Sequence, residues 1–193
     1  ALSTVTVDLA AIQRDWFARF LVDSPDGVVD DWAAANQAEV DAAWTAEKAS
    51  FKPGCAVVAE IVTRFSATTT DEDKVQLRAR IEAARKALEA GTDFARVARE
   101  TSSGAAAVYG GELGCLDATA YGDGGEALVE AVGALPVGAT TPLVETSAGF
   151  HLLKVIARPD ADQLEAVGRR VLARRGFVRF KSEGLAKQFG DDL

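Results

Sequence analysis

The chain has 193 residues, of which 48% are hydrophobic and 26% charged, as is ordinary for a folded globular protein. Its formal net charge of −8 argues against nucleic-acid binding, because a phosphate backbone requires a basic surface. The apolar runs are shorter than the roughly 20 residues of a membrane span. The chain contains no methionine, so we expect it to be a piece of a longer protein.

Two helices are predicted before residue 52. The first covers residues 7–23, where apolar residues recur at intervals of three and four. The second covers residues 28–50 and follows a Pro-Asp-Gly break. The two helices carry Trp16, Trp32 and Trp44. We expect these large side chains to pack in a core, with binding of unfolded polypeptides as the alternative.

The middle of the chain predicts the element order β-α-α-β-α-β-β. A strand at 56–65 is rich in β-branched residues. Thr70 and Asp73 form a capping-box pattern that begins a helix ending at Ala90, and Thr92 is placed to cap a short second helix. The later elements are a strand at 113–116, a helix at 126–132, strands at 142–145 and 150–156 joined by a hairpin turn, and a helix from 159. This order predicts an α+β fold around a small antiparallel sheet.

The two cysteines, Cys55 and Cys115, fall in or beside predicted strands. A pair of cysteines is not a disulfide framework, so two buried thiols are the favoured interpretation and a disulfide is the alternative. A disulfide requires Cα atoms within about 7 Å of each other.

The end of the chain is basic. The favoured interpretation is the solvated face of a helix. The alternatives are docking against acidic N-terminal helices and proximity to an anionic membrane surface. The basic residues are Arg169, Arg170, Arg174, Arg175, Arg179, Lys181 and Lys187.

Several motifs occur in a fixed order between residues 53 and 158. Gly91-Thr92-Asp93-Phe94 precedes Gly110-Gly111-Glu112-Leu113-Gly114, Ala134-Leu135-Pro136-Val137-Gly138 follows, and Gly149-Phe150-His151 comes last. In this order and spacing the motifs resemble the parvulin, or PpiC-type rotamase, family of peptidyl-prolyl cis-trans isomerases. The resemblance implies a parvulin-like domain with a four-stranded antiparallel sheet surrounded by helices.

The resemblance also implies a set of site residues. His151, the only histidine, matches the second of the family's two facing histidines, and Thr146 matches a small hydroxyl residue in the hairpin turn. Leu113 matches an apolar wall for the proline ring. Leu128 falls where a proline-packing phenylalanine usually lies, and Tyr121 is expected to replace part of the missing aromatic surface.

Three positions depart from the family pattern. Glu60 stands where the family has its first histidine, and a Glu60–His151 pair can form a charge-assisted hydrogen bond. Gly104 stands at the cysteine or aspartate position, with Ser102 and Ser103 beside it, and Cys115 replaces an aromatic residue.

Rotation about an Xaa-Pro bond needs no nucleophile, metal or cofactor, because the barrier is the loss of amide resonance. We therefore expect no cofactor and no metal. A zinc site made of Cys55, Cys115, His151 and Glu60 is the alternative, although no Cys-x-x-Cys spacing supports it.

The order of the segments resembles that of SurA- and PrsA-like extracytoplasmic folding factors. This resemblance implies an N-terminal helical segment at 1–52, a parvulin-like domain at 53–158, and a C-terminal helix at 159–193 that packs with the N-terminal helices. It further implies an isomerase and chaperone outside the cytoplasm, acting on unfolded or proline-containing polypeptides. The alternative function is a holdase or scaffold whose parvulin-like domain has little or no isomerase activity.

Overall fold

A computed structural model describes residues 26–190, so the helix predicted at 7–23, with Trp16, lies outside the described residues. The helices are α1 (Asp26–Ala35), α2 (Gln37–Glu47), α3 (Asp71–Glu89), α4 (Phe94–Thr101), α5 (Gly125–Gly133) and α6 (Leu164–Gly190). The strands are β1 (Val57–Arg64), β2 (Glu112–Cys115), β3 (Val144–Thr146) and β4 (Gly149–Ala157). Short 3-10 helices lie at Lys48–Ser50, Ala105–Tyr109 and Ala118–Gly124. None of the helices between residues 26 and 190 is long and apolar enough to cross a lipid bilayer.

The four strands form one antiparallel sheet in the order β2-β1-β4-β3. Helices α3 and α4 cover one face, where Ile81 and Phe94 join the cluster that contains Ile61. Helix α5 covers the other face, where Leu128 joins the cluster that contains Val58. A strand that is covered on both faces needs apolar side chains on both sides, so β1 is a nearly continuous apolar run. The predicted α+β fold with a four-stranded antiparallel sheet is confirmed.

The start of α3 is as predicted, whereas the predicted start of α4 is wrong. The Thr70 hydroxyl accepts a hydrogen bond from the Asp73 N–H at 3.2 Å, and the Asp73 carboxylate accepts one from the Thr70 N–H at 2.8 Å. Helix α4 is capped by Asp93, not by Thr92, because the Asp93 carboxylate accepts the Arg96 N–H at 3.0 Å. Threonine and aspartate are both favoured as N-cap residues, so the residue type alone did not determine which of the two caps α4.

The single helix predicted at 28–50 is two helices in the structure. Asn36, between α1 and α2, has φ −124° and ψ 37°, outside the helical region. Its side-chain amide donates to the Trp32 carbonyl at 2.8 Å and so satisfies an acceptor at the end of α1. The last helix begins at Leu164 and not at 159, since the Asp160 carboxylate accepts the N–H groups of Asp162 and Gln163 in a preceding turn.

Helix α6 packs against α1 and α2. Trp32 is buried against Phe177, with ring centroids 6.3 Å apart, and Trp44 packs on Phe51 at 5.7 Å. The Trp44 ring also lies over Gly168, where an added Cβ would be only 2.4 Å from it. The expected core position is therefore confirmed for Trp32.

The basic face of α6 meets the acidic face of α2. Three arginines of α6 pair with carboxylates of α2, as the alternative of docking on an acidic N-terminal helix predicted, while the side chains remain partly solvated, as the favoured interpretation predicted. The three ion pairs are Arg169–Asp41, Arg175–Glu47 and Arg179–Glu39.

Cys55 and Cys115 form a disulfide, with Cα atoms 5.5 Å apart. The favoured interpretation of two separate thiols is therefore wrong. The pairing of Val57 with Cys115 across β1 and β2 brings the two cysteines together. The alternative zinc site is wrong for the same reason, because bonded sulfurs cannot serve as thiolate ligands.

Candidate active site

The sheet places three predicted site residues side by side on one face. His151 lies on the central strand β4, directly opposite Val62 on β1 and Val144 on β3. Glu60 is two residues from Val62, and Thr146 is two residues from Val144, so both point to the same face as His151. Diagonal neighbours of this kind are within reach of long side chains. The strand order thus surrounds the imidazole with a carboxylate and a hydroxyl.

These three side chains form one buried hydrogen-bonded chain. His151 Nδ1 lies 2.8 Å from Glu60 Oε1, and His151 Nε2 lies 2.8 Å from Thr146 Oγ1. An ionised carboxylate can only accept, so Nδ1–H donates to Glu60, and in the neutral ring Nε2 accepts the Thr146 O–H. The Thr146 oxygen also accepts the Ala148 N–H at 3.0 Å. His151 is 1% exposed and Glu60 3% exposed, so the network is almost completely shielded from solvent, where hydrogen bonds are stronger than in water.

A small pocket opens above this network. Its volume is about 240 Å³, and it is large enough for one side chain. Leu113 provides an apolar wall and His151 lies at its base. The lining consists of Glu60, Val62, Arg64, Leu113, Ala120, Tyr121, Ala148 and His151.

Tyr121 forms the aromatic part of this pocket. Its ring meets the His151 ring edge-on, with centroids 5.8 Å apart. Burial raises the pKa of Tyr121 far above its ordinary value. The negative charge of the Glu60 carboxylate and the hydrogen bond between the two side chains raise this pKa further. The phenol therefore keeps its proton at any physiological pH and remains a hydrogen-bond donor.

Leu128 does not reach the pocket surface. Its side chain is fully buried in the cluster under α5, where Leu113 and Tyr121 pack against the same cluster. The expectation that Leu128 packs against the proline ring is corrected accordingly, because Leu128 supports two pocket-lining residues from beneath.

Gly104 faces Glu60, as the family pattern implies for this position. A Cβ added there would lie 3.7 Å from Glu60 Oε2 and 2.9 Å from Val62 Cγ1. The neighbouring Ser102 hydroxyl accepts the N–H groups of Val62 and Gly104. The two serines therefore hold the backbone of β1 and the following turn, and Ser103 Oγ accepts the Arg64 N–H at 2.8 Å.

Arg64 lines the pocket but was not among the predicted site residues. It follows Glu60 and Val62 at intervals of two on β1, so strand alternation alone places it on the same face. That periodicity was the signal that could have identified it. Its positive charge acts on the Tyr121 phenol, so Arg64 adds a cationic group to the lining of the pocket.

Gly111 approaches the backbone of Glu60 more closely than a larger residue permits. Its carbonyl accepts the Glu60 N–H at 2.9 Å, and its φ is +87°. A Cβ added at Gly111 would lie 2.5 Å from the Glu60 carbonyl oxygen. Glycine at this point therefore allows the start of β2 to fix the backbone beneath the site carboxylate.

We expect Gly111→Ala to lower the free energy of unfolding by about 3 kcal/mol, since positive φ costs about 1 kcal/mol and the backbone clash adds about 2 kcal/mol. Gly54→Ala is the matched control, because Gly54 has φ +77° with no atom within 4 Å of an added Cβ. Urea unfolding of both variants measures the difference. Equal losses would contradict the role assigned to the close approach.

A comparison with protein-family models identifies the family of this domain. A family model described as the PPIC-type PPIASE (rotamase) domain matches residues 60–157, half of the chain. The fold and the site thus define a rotamase-type domain. The chain belongs to the PpiC-type peptidyl-prolyl cis-trans isomerase family, to which the parvulins belong.

Among curated proteins the chain is similar to chaperones named SurA. It is 32% identical to Chaperone SurA of Bordetella pertussis over 111 residues, 58% of this chain and 21% of that protein. It is 29% identical to Chaperone SurA of Cupriavidus metallidurans over 147 residues, 76% of this chain and 28% of that protein. The chain thus spans less than a third of the length of these relatives. Among solved structures, PrsA from Bacillus subtilis aligns with 21% identity and a TM-score of 0.47, over 82% of this chain and 60% of that one.

Proposed function

We propose that this chain is a peptidyl-prolyl cis-trans isomerase and folding chaperone that acts on unfolded, proline-containing polypeptides. The observation that carries the proposal is the pocket above the Glu60–His151–Thr146 network, with Leu113 and Tyr121 as its walls. The pocket has the size and the apolar surface that a proline ring requires. Membership of the PpiC-type family supports the same reaction.

The mechanism follows from the physics of the amide bond. The uncatalysed barrier is about 20 kcal/mol, because rotation removes amide resonance. The planar amide is the more polar state, so moving it out of water into a pocket with apolar walls disfavours it relative to the twisted state. Each 1.4 kcal/mol gained by the twisted state increases the rate about tenfold.

Each site residue has a separate part in this mechanism. Leu113 and Tyr121 hold the proline ring while the carbonyl of the preceding residue turns. His151 forms the floor of the pocket, and hydrogen bonds of both ring nitrogens with Glu60 and Thr146 fix its orientation. Glu60 thereby takes the place of the family's first histidine as the partner of His151.

The helices on both sides of the isomerase domain are proposed to form one polypeptide-binding module. Residues 1–52 and 159–193 would belong to it and residues 53–158 to the isomerase domain. The packing of α6 on α1 and α2 through Trp32 and Phe177 supports this division. The name Chaperone SurA, carried by the curated relatives, supports the chaperone part of the proposal.

The proposed location is outside the cytoplasm. The Cys55–Cys115 disulfide supports it, because such bonds persist in oxidising compartments and are rare in the reducing cytosol. The SurA relatives support the same location.

A protease-coupled assay with a proline-containing tetrapeptide tests the isomerase proposal. We expect turnover above the uncatalysed rate, because the pocket disfavours the planar amide. A parallel assay measures suppression of aggregation of an unfolded protein. Absence of turnover together with retained suppression would contradict the isomerase and favour the holdase.

A further inference from the structure

Leu113, the apolar wall of the pocket, lies on a strand that the sheet supports weakly. Strand β2 is at the edge of the sheet and pairs only with β1. The register shifts so that Gly114 faces Val58 and Glu112 faces Ala59, which leaves Leu113 without a partner on β1. A bulge of this kind redirects a side chain and places backbone groups outside the ladder. The position of Leu113 therefore depends on contacts from outside the sheet.

One such contact comes from helix α6. Arg175 Nη2 donates to the Leu113 carbonyl oxygen at 2.6 Å, and Arg175 Nη1 donates to Glu47 Oε2 on α2 at 2.9 Å. The guanidinium is planar, so the directions of its N–H groups are fixed relative to one another. A single side chain thus joins two helices to the wall of the pocket.

A second contact from the same helix holds the preceding residue. Arg174 Nε lies 3.3 Å from Glu112 Oε1, and the Glu112 side chain is 15% exposed. After Leu113, the Cys115 end of β2 is tied to Cys55 by the disulfide. Strand β2 is therefore held on both sides of Leu113, and Arg175 holds Leu113 itself.

Leu113 also separates two cavities. On one side lies the pocket with His151. On the other side lies a cleft of about 420 Å³ between α2, α6 and the 3-10 helix Ala105–Tyr109, and Arg175 lines this cleft too. A displacement of α6 relative to the sheet would therefore move the wall of the pocket.

We propose that Arg175 is a positioning residue through which the flanking helices set Leu113 in the pocket and thereby set the affinity for the proline ring. The inference rests on the proposed isomerase function. Arg175 contacts the backbone of the wall and not the reacting bond. Its loss weakens binding of the ring in the ground and twisted states alike, so KM changes and kcat does not.

The test uses the full chain and Arg175→Gln, with Arg169→Gln as the matched control. Arg169 also lies on α6 and pairs with Asp41 of α2, but it does not hold β2. For Arg175→Gln we expect KM for a proline tetrapeptide to rise about fivefold with kcat within about twofold of the wild type. This is less than the full contribution of one charge-assisted hydrogen bond, because Arg175 acts on the wall of the pocket and not on the ring itself. Arg175→Lys keeps one donor and is expected to restore part of the affinity. Arg169→Gln is expected to leave KM unchanged.

A second readout reports on Leu113 without requiring turnover. In leucine-methyl-labelled protein, the Leu113 methyl signals are expected to shift in Arg175→Gln and to stay in place in Arg169→Gln. Unchanged Leu113 signals and KM in Arg175→Gln would overturn the inference, and so would equal KM rises in the two variants. If the wild type shows no turnover, the proposed function fails. The role of Arg175 is then still decided by the Leu113 methyl signals, which are followed while the tetrapeptide is titrated into the protein.

Discussion

Replacing His151 with alanine is expected to abolish turnover of proline peptides and to lower the free energy of unfolding by about 3 kcal/mol. His151 is the central member of the hydrogen-bonded chain, so its removal leaves the Glu60 carboxylate without the Nδ1–H donor. It also leaves the Thr146 hydroxyl without the Nε2 partner. Glu60 is 3% exposed and, within residues 26–190, keeps only the hydrogen bond to Tyr121, so loss of the Nδ1–H donor is destabilising for this buried carboxylate.

The double variant Glu60→Gln/His151→Ala separates the two effects. It removes the buried charge together with its partner, so we expect part of the lost stability to return. Turnover should stay absent, because the imidazole that forms the floor of the pocket is still missing. Urea unfolding measures stability, and the tetrapeptide assay is run where each variant is fully folded. Wild-type turnover in folded His151→Ala would contradict the assignment of this site.

Replacing both cysteines with serine is expected to lower the free energy of unfolding by about 4 kcal/mol, the size expected for a bond that closes a long loop. Cys55 and Cys115 are 60 residues apart in the sequence, and the loop between them includes α3 and α4. The bond removes a large part of the conformational freedom of the unfolded chain. It also ties the end of β2, two residues after Leu113, to the segment before β1.

The control for this prediction is chemical. A thiol reductant should lower the thermal midpoint of the wild type to that of Cys55→Ser/Cys115→Ser and leave the midpoint of the double variant unchanged. Iodoacetamide labelling confirms the redox state in each sample. A wild-type midpoint that does not respond to complete reduction would contradict the stabilising role of the bond.

Local patterns predicted those elements whose signals are local. The β-branched run predicted β1, and the Thr70–Asp73 pair predicted the first turn of α3, because a capping box satisfies backbone donors within four residues. Thr92 and Asp93 are both suitable N-cap residues for α4, and the local sequence did not decide between them. The break at Asn36 was missed because one side-chain hydrogen bond to Trp32 ends an otherwise helical segment.

The candidate site was predicted in part. Glu60, His151, Thr146, Leu113 and Tyr121 were named from motif order. Four of them line one pocket in the structure, and Thr146 is hydrogen-bonded to His151. The burial of Leu128 and the position of Arg64 in the lining were not anticipated. Whether a side chain reaches a surface depends on what packs over it, which no local pattern records.

By itself, the sequence determined the family and the order of the elements from β1 to β4, since these follow from residue types and short spacings. The tertiary structure decided partners that the sequence left open or did not name: Cys55 for Cys115, Thr146 for the second nitrogen of His151, and Arg175 for Leu113. These contacts depend on strand order, register and helix docking. Those features are set by the packing of the whole chain, so they could not be obtained from any one segment.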